Sequence, residues 1–184
     1  MASPYWVVIR LEPHYQRFLR SQFRCEAEVF EFPPRHRFNT ILEHLVVTRV
    51  DGQIRDNRSK ESEEDDKYLF KIALPDMRWK NPAHFRYFSK NMEEIFCQKI
   101  KEYYDFVIIE RISYLMRNPQ KDEYGNTEIF DRQQCTTILI KEFKFDAEEG
   151  DSFDRLYKLF TRYKRRERDR RYYLKKKEEE KLDE

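Results

Sequence analysis

The chain predicts an α+β fold: a small N-terminal mixed sheet with helices, followed by a helical C-terminal part ending in a long basic helix. Three observations lead there. Short β-rich runs alternate with helical patterns over the first 80 residues. After about residue 85, apolar residues recur at helical three- and four-residue spacing. From Arg155 to Lys177 there are 12 Lys/Arg against 2 acids, a local charge of +10.

Taken in order, Tyr5–Leu11 ("YWVVIRL") is rich in β-branched and aromatic residues and predicts a strand. Pro13 opens a helix over His14–Arg24, with Tyr15, Phe18, Leu19 and Phe23 on one face. Glu28–Phe32 ("EVFEF") alternates apolar and acidic residues and predicts a half-buried strand, ended by Pro33 and Pro34. "FNTILEHLVV" fits a short helix or a strand, and Asn39 as N-cap favours the helix. Asp51–Asp66 carries 7 acids and 3 bases without apolar periodicity, the mark of a linker or loop. "KYLFKIALP" returns as a strand that Pro75 ends.

Ser89 is a fitting N-cap for "KNMEEIFCQKIKEYY", which "DFVIIERISYLMRN" continues or restarts, stopping before Pro119. The turn-rich "NPQKDEYGN" precedes "EIFDRQQCTTILIKEF", a predicted helix over Glu128–Phe143. A last helix then starts at Asp151 or Ser152. Two subdomains follow: residues 1–80, α/β with an acidic loop at 51–66, and residues 81–184, helical, with a basic helix at 153–181.

Phe153, Leu156, Phe160 and Tyr163 share one side of that last helix, and Arg155, Lys158, Arg162, Arg165 and Arg166 the other. Beyond Tyr163 the apolar stripe lapses, because Glu167 and Arg170 occupy its positions and only Leu174 returns. Arg168, Arg170 and Arg171 extend the positive charge where packing can no longer hold the helix. Arginine matches phosphate with a planar fork of donors, and Tyr172 adds a hydroxyl and a stacking face. Arg35 and Arg37, in "FPPRHRF", form a second basic patch on a proline-led turn. The expectation is a DNA-binding factor, with DNA favoured over RNA. The alternative is a protein-interaction factor whose basic helix docks on an acidic partner or on its own Glu61–Asp66 loop. A helix-turn-helix is weakly indicated, since Lys144–Ser152 is longer than the usual three- or four-residue turn. Membrane adsorption is disfavoured because the basic part lacks a Trp/Phe/Leu face.

No catalytic motif is present. There is no glycine-rich phosphate loop, and the chain has only 3 glycines. His14, His36, His44 and His84 are scattered, so neither a metal nor a cofactor is expected. Asp105 and Glu110 flank an apolar run but lack the spacing of a paired-carboxylate site, and the tyrosine pairs at 103/104 and 172/173 lack companions for strand transfer. The chain is expected not to be an enzyme. Cys25, Cys97 and Cys135 form no CxxC, the longest apolar run is short, and the N-terminus lacks signal-peptide features. A soluble, cytoplasmic protein of undetermined oligomeric state is expected.

"YWVVIRLEPHYQRFL", "KIALPDMRWKNPAHFRYFS" and "SFDRLYKLFTRYKRRERDRR" resemble segments of uncharacterised small proteins of Bacteroidetes prophages and mobile elements. The resemblance spans most of the chain and brings no established activity. It implies a DNA-handling role by association.

Overall fold

The structure, a computed structural model, describes residues 5–47, 67–77, 80–81, 84–85, 87–121, 127–145 and 151–182. The acidic loop expected at 51–66 lies outside these residues, as do the side chains of Asp151 and Ser152, the expected caps of the last helix. The fold is α+β: among the described residues, a small antiparallel sheet near the N-terminus accompanies five helices.

Strand β1 (Trp6–Arg10) pairs antiparallel with β2 (Leu69–Ala73), Val8 facing Lys71. Val7 and Ile9 point into the core and their neighbours are half-buried, the two-residue period of a strand with one buried face. The sheet is two-stranded and antiparallel, where a mixed one was expected. Glu28–Phe32 is not a strand: only Phe30 joins β2, through a single parallel bridge to Ile72. Pro33 and Pro34 follow and lack the N–H donors that a longer ladder would need. Phe30 and Phe32 are buried, so the alternation in "EVFEF" reports core anchoring and not ladder pairing.

Helix α1 (Pro13–Phe23) has Pro at its first position and ends in a left-handed Arg24, φ 52°. Helix α2 (Arg37–Leu45) is capped by His36, whose Nδ1 accepts the Phe38 N–H at 3.3 Å. Asn39, the expected cap, instead donates from Nδ2 to the Pro33 carbonyl at 3.0 Å. Helix α3 (Lys90–Arg117) is continuous, and Ser89 caps it by accepting the Met92 N–H at 3.3 Å.

The chain forms two compact units, Met1–Tyr104 and Asp105–Glu184, so α3 contributes to both. The sequence pattern turns helical after about residue 85, but the boundary between the units comes later because Phe96, Ile100 and Tyr104 belong to the first core. That core is a cluster of aromatic rings: Phe30 and Phe32 lie 4.8 Å apart, Phe32 and Phe38 4.9 Å, Phe18 and Tyr104 5.0 Å. Each buried Phe contributes about 1.5–3 kcal/mol of apolar transfer.

In the second unit, β3 (Gln120–Lys121) pairs with β4 (Thr127–Glu128), and α4 runs Arg132–Glu142. Glu128 to Asp131 are therefore not helical, contrary to the expected start. Asp131 forms a capping box: its carboxylate accepts the Gln134 N–H at 2.8 Å, and the Gln134 side chain accepts the Asp131 N–H at 2.7 Å. Lys144, at φ 52°, turns the chain after α4. Helix α5 spans Asp151–Leu182. The core here holds Ile108, Ile112 and Leu115 of α3, Cys135 and Leu139 of α4, Phe143 and Phe145 beyond it, and Leu156 and Phe160 of α5.

Candidate nucleic-acid interface

Helix α5 changes character along its length. Leu156 and Phe160 are buried, and Phe153, Tyr157 and Tyr163 beside them are half-buried. After Phe160 no described residue of α5 is buried, and among the residues described from Lys164 to Lys177 only Glu167 is as much as half-covered. Tyr172 and Tyr173 are 72% and 67% exposed. At 1.5 Å per residue, Lys164 to Lys177 amounts to about 20 Å of helix without an apolar anchor.

Nine of the eleven expected contact residues stand on α5. Lys158, Arg162, Arg165, Arg166, Arg168, Arg170, Arg171 and Tyr172 are exposed, while Arg155 is half-buried. Acids within the helix engage some of them. Lys158 pairs with Asp154 at 3.2 Å, and Arg165 and Arg168 each reach Asp169 at 4.0 Å. Glu167 accepts from Lys164 at 3.1 Å and from Arg171 at 2.6 Å, and the Lys164 bond foremost holds its carboxyl below the ordinary range. These pairs lie at the solvent-screened surface and are weak, so they leave the cations available to a stronger anion. Among the described residues, Arg162 and Arg170 have no carboxylate at ion-pair distance.

One residue that holds this helix carries no sequence signal. The Arg132 guanidinium lies 4.2 Å from the Tyr157 ring centroid, and its Nη1 donates to Thr161 Oγ1 at 2.8 Å. It fastens α4 to the docked part of α5. Asp105, half-buried on α3, has its pKa raised by burial, an effect that the Arg166 charge partly offsets. A lone Arg such as Arg132, whose partners Tyr157 and Thr161 lie on another helix, shows no periodicity that could mark it.

Arg35 and Arg37 belong to the first unit. Both are exposed; Arg35 is left-handed at φ 63°, and Arg37 lies over the Tyr103 ring, 5.0 Å from its centroid. His36 between them is stacked on Phe32, 5.5 Å away at 6°. Burial, then the Arg37 charge, lowers its pKa, so this loop presents two charges and a neutral ring.

No family model matches this chain, and neither a curated protein nor a solved structure does. The site's own chemistry is therefore the guide. Tyr104 is buried against Phe18, Tyr15 and His14, the role of a core ring. A cleft of about 360 Å³ lined by Arg10, Glu93, Glu94, Cys97 and Lys101 contains a thiol, but burial pushes the Cys97 pKa up to about 12. Such a thiol is a poor nucleophile at neutral pH. Among the described residues, no helix is long and apolar enough to cross a membrane.

Proposed function

We propose that this chain is a DNA-binding regulatory or accessory protein of a phage or mobile element, gripping phosphates through α5. One observation carries the reading: among the described residues Phe160 is the last buried one of α5, and the helix keeps its positive charge for about 25 Å beyond it. Helix formation there is not supported by packing, so an anionic partner gives the segment a reason to persist. Neutralising phosphates releases counterions, a sequence-independent source of affinity. A cytoplasmic location accords with this role and with the free state of Cys25, Cys97 and Cys135.

The second reading is a protein-interaction factor. Exposed Tyr172, Tyr173 and Leu174 favour it, because tyrosines are frequent anchors of protein interfaces. Salt-titrated binding to random duplex separates the two. Five phosphate contacts give a slope of log affinity on log salt of about −4.5. Joint charge reversal at Arg162, Arg165 and Arg166 should flatten that slope with little change in melting temperature. Absence of nucleic-acid binding at low salt, together with binding to an acidic protein, would establish the second reading instead.

A further inference from the structure

Resting on the DNA-binding reading, we propose that α5 lies lengthwise in the major groove of duplex DNA, its two basic flanks on opposite phosphate walls. At about 100° per residue, Arg162, Arg166 and Arg170 form one exposed flank. Lys164, Arg168 and Arg171 form another, turned from the first by roughly 160–200°. A helix resting on one phosphate strand needs cations on one face only. Cations on opposed flanks suit a trough with a charged wall on each side. A helix with its side chains is about 10–12 Å across and the B-form major groove about 12 Å wide.

The acids mark which side faces what. Glu167 falls on the line of Leu156 and Phe160, the side turned toward the helix's own unit, and is half-buried there. Arg165 falls midway between the flanks, with Tyr172 and Asp169 on either side of it; Asp169 is exposed and lies nearer the first flank. A carboxylate pressed against phosphate would repel it. Above the groove floor it meets base edges, where the cytosine N4 amine is a donor and guanine O6 and N7 accept from arginine. Flanks that read phosphate and a central ridge of Arg165, Asp169 and Tyr172 that reads bases make one consistent arrangement. The major groove of A-form RNA is deep and narrow and excludes a helix. Selectivity for B-form duplex follows.

The test compares a mixed-sequence DNA duplex, the RNA duplex of the same sequence and one DNA strand, using the full chain across a salt series. The DNA duplex should bind at least about tenfold tighter than the RNA duplex, the worth of one bidentate base contact. Methyl green, a major-groove ligand, should compete; netropsin, a minor-groove ligand, should not. Arg166→Ala should reduce the salt slope by about 1. Asp169→Asn should leave the slope in place and change the sequences enriched from a random-duplex pool, with circular dichroism verifying that both variants fold. Equal binding to DNA and RNA duplexes, or displacement by netropsin, overturns major-groove seating while leaving DNA binding intact. Failure to bind any nucleic acid at low salt overturns both.

Discussion

His36 caps α2 with an unprotonated nitrogen while its ring stacks against both Phe32 and Phe38. Protonation would turn the accepting Nδ1 into a donor facing the Phe38 N–H, so the folded chain resists it. Burial and Arg37 act in the same direction and lower the pKa from 6.5. The unfolded chain thus binds more protons as pH falls below about 6.5, and stability falls with it. Melting temperature should drop between pH about 7.5 and about 5.5 in the wild type. His36→Asn, which keeps a capping acceptor but does not titrate, should flatten that drop; an unchanged pH profile would refute the assignment. Cys97 supports a second expectation. With its pKa pushed to about 12, it should resist iodoacetamide at pH about 8 in the folded protein and react on unfolding, as peptide mass spectrometry would reveal. Labelling of native Cys97 as fast as in the denatured chain would contradict its burial.

At Arg10, side chains from α3 serve the backbone of β1. Odd-numbered residues of β1 face β2 in the ladder, which leaves Arg10 directed away from it. The buried Glu93 carboxylate accepts the Arg10 N–H at 2.7 Å, and the Cys97 thiol donates to the Arg10 carbonyl at 3.4 Å. Glu93→Ala leaves a donor unsatisfied and should cost about 1–3 kcal/mol in denaturant unfolding. Glu93→Gln, which retains an acceptor, should recover much of that loss. A silent Glu93→Ala would mean that water replaces the carboxylate. In the second unit, Arg132 plays the comparable part between α4 and α5. Arg132→Ala should destabilise by about 1–2 kcal/mol through the lost ring contact and hydrogen bond. Arg132→Lys should not restore it, because lysine lacks the planar fork that spans Tyr157 and Thr161.

For the whole chain, the position of the last buried residue separates stability from proposed function. Among the described residues Phe160 is the last buried one of α5, so deleting the chain from Lys164 onward removes charge and no described core residue. The truncated protein should melt within a few degrees of the full chain and lose its salt-dependent affinity for duplex DNA. A collapse of the fold would show that the segment packs more tightly than its exposure indicates. Retained DNA affinity would move the interface elsewhere, with Arg35 and Arg37 the next residues to test.

The α+β class, β1, β2, the Pro13 start of α1 and the Ser89 cap of α3 were all legible in the chain, because each rests on a local rule: two-residue alternation, proline's fixed φ, or a hydroxyl before a helical run. The capping box at Asp131 is equally local, but apolar Ile129 and Phe130 extend the helical pattern past the true start. Other features required distant partners. Phe30 and Phe32 alternate like a strand yet serve as anchors among rings supplied by α1, α2 and α3. Glu93 and Arg132 take their roles from residues far away in sequence, and no period in the chain encodes that. Local propensity and patterning determined where the elements lie; three-dimensional packing decided which side chains are buried, paired or left to meet a partner, since burial and ion pairing depend on neighbours that only folding brings together.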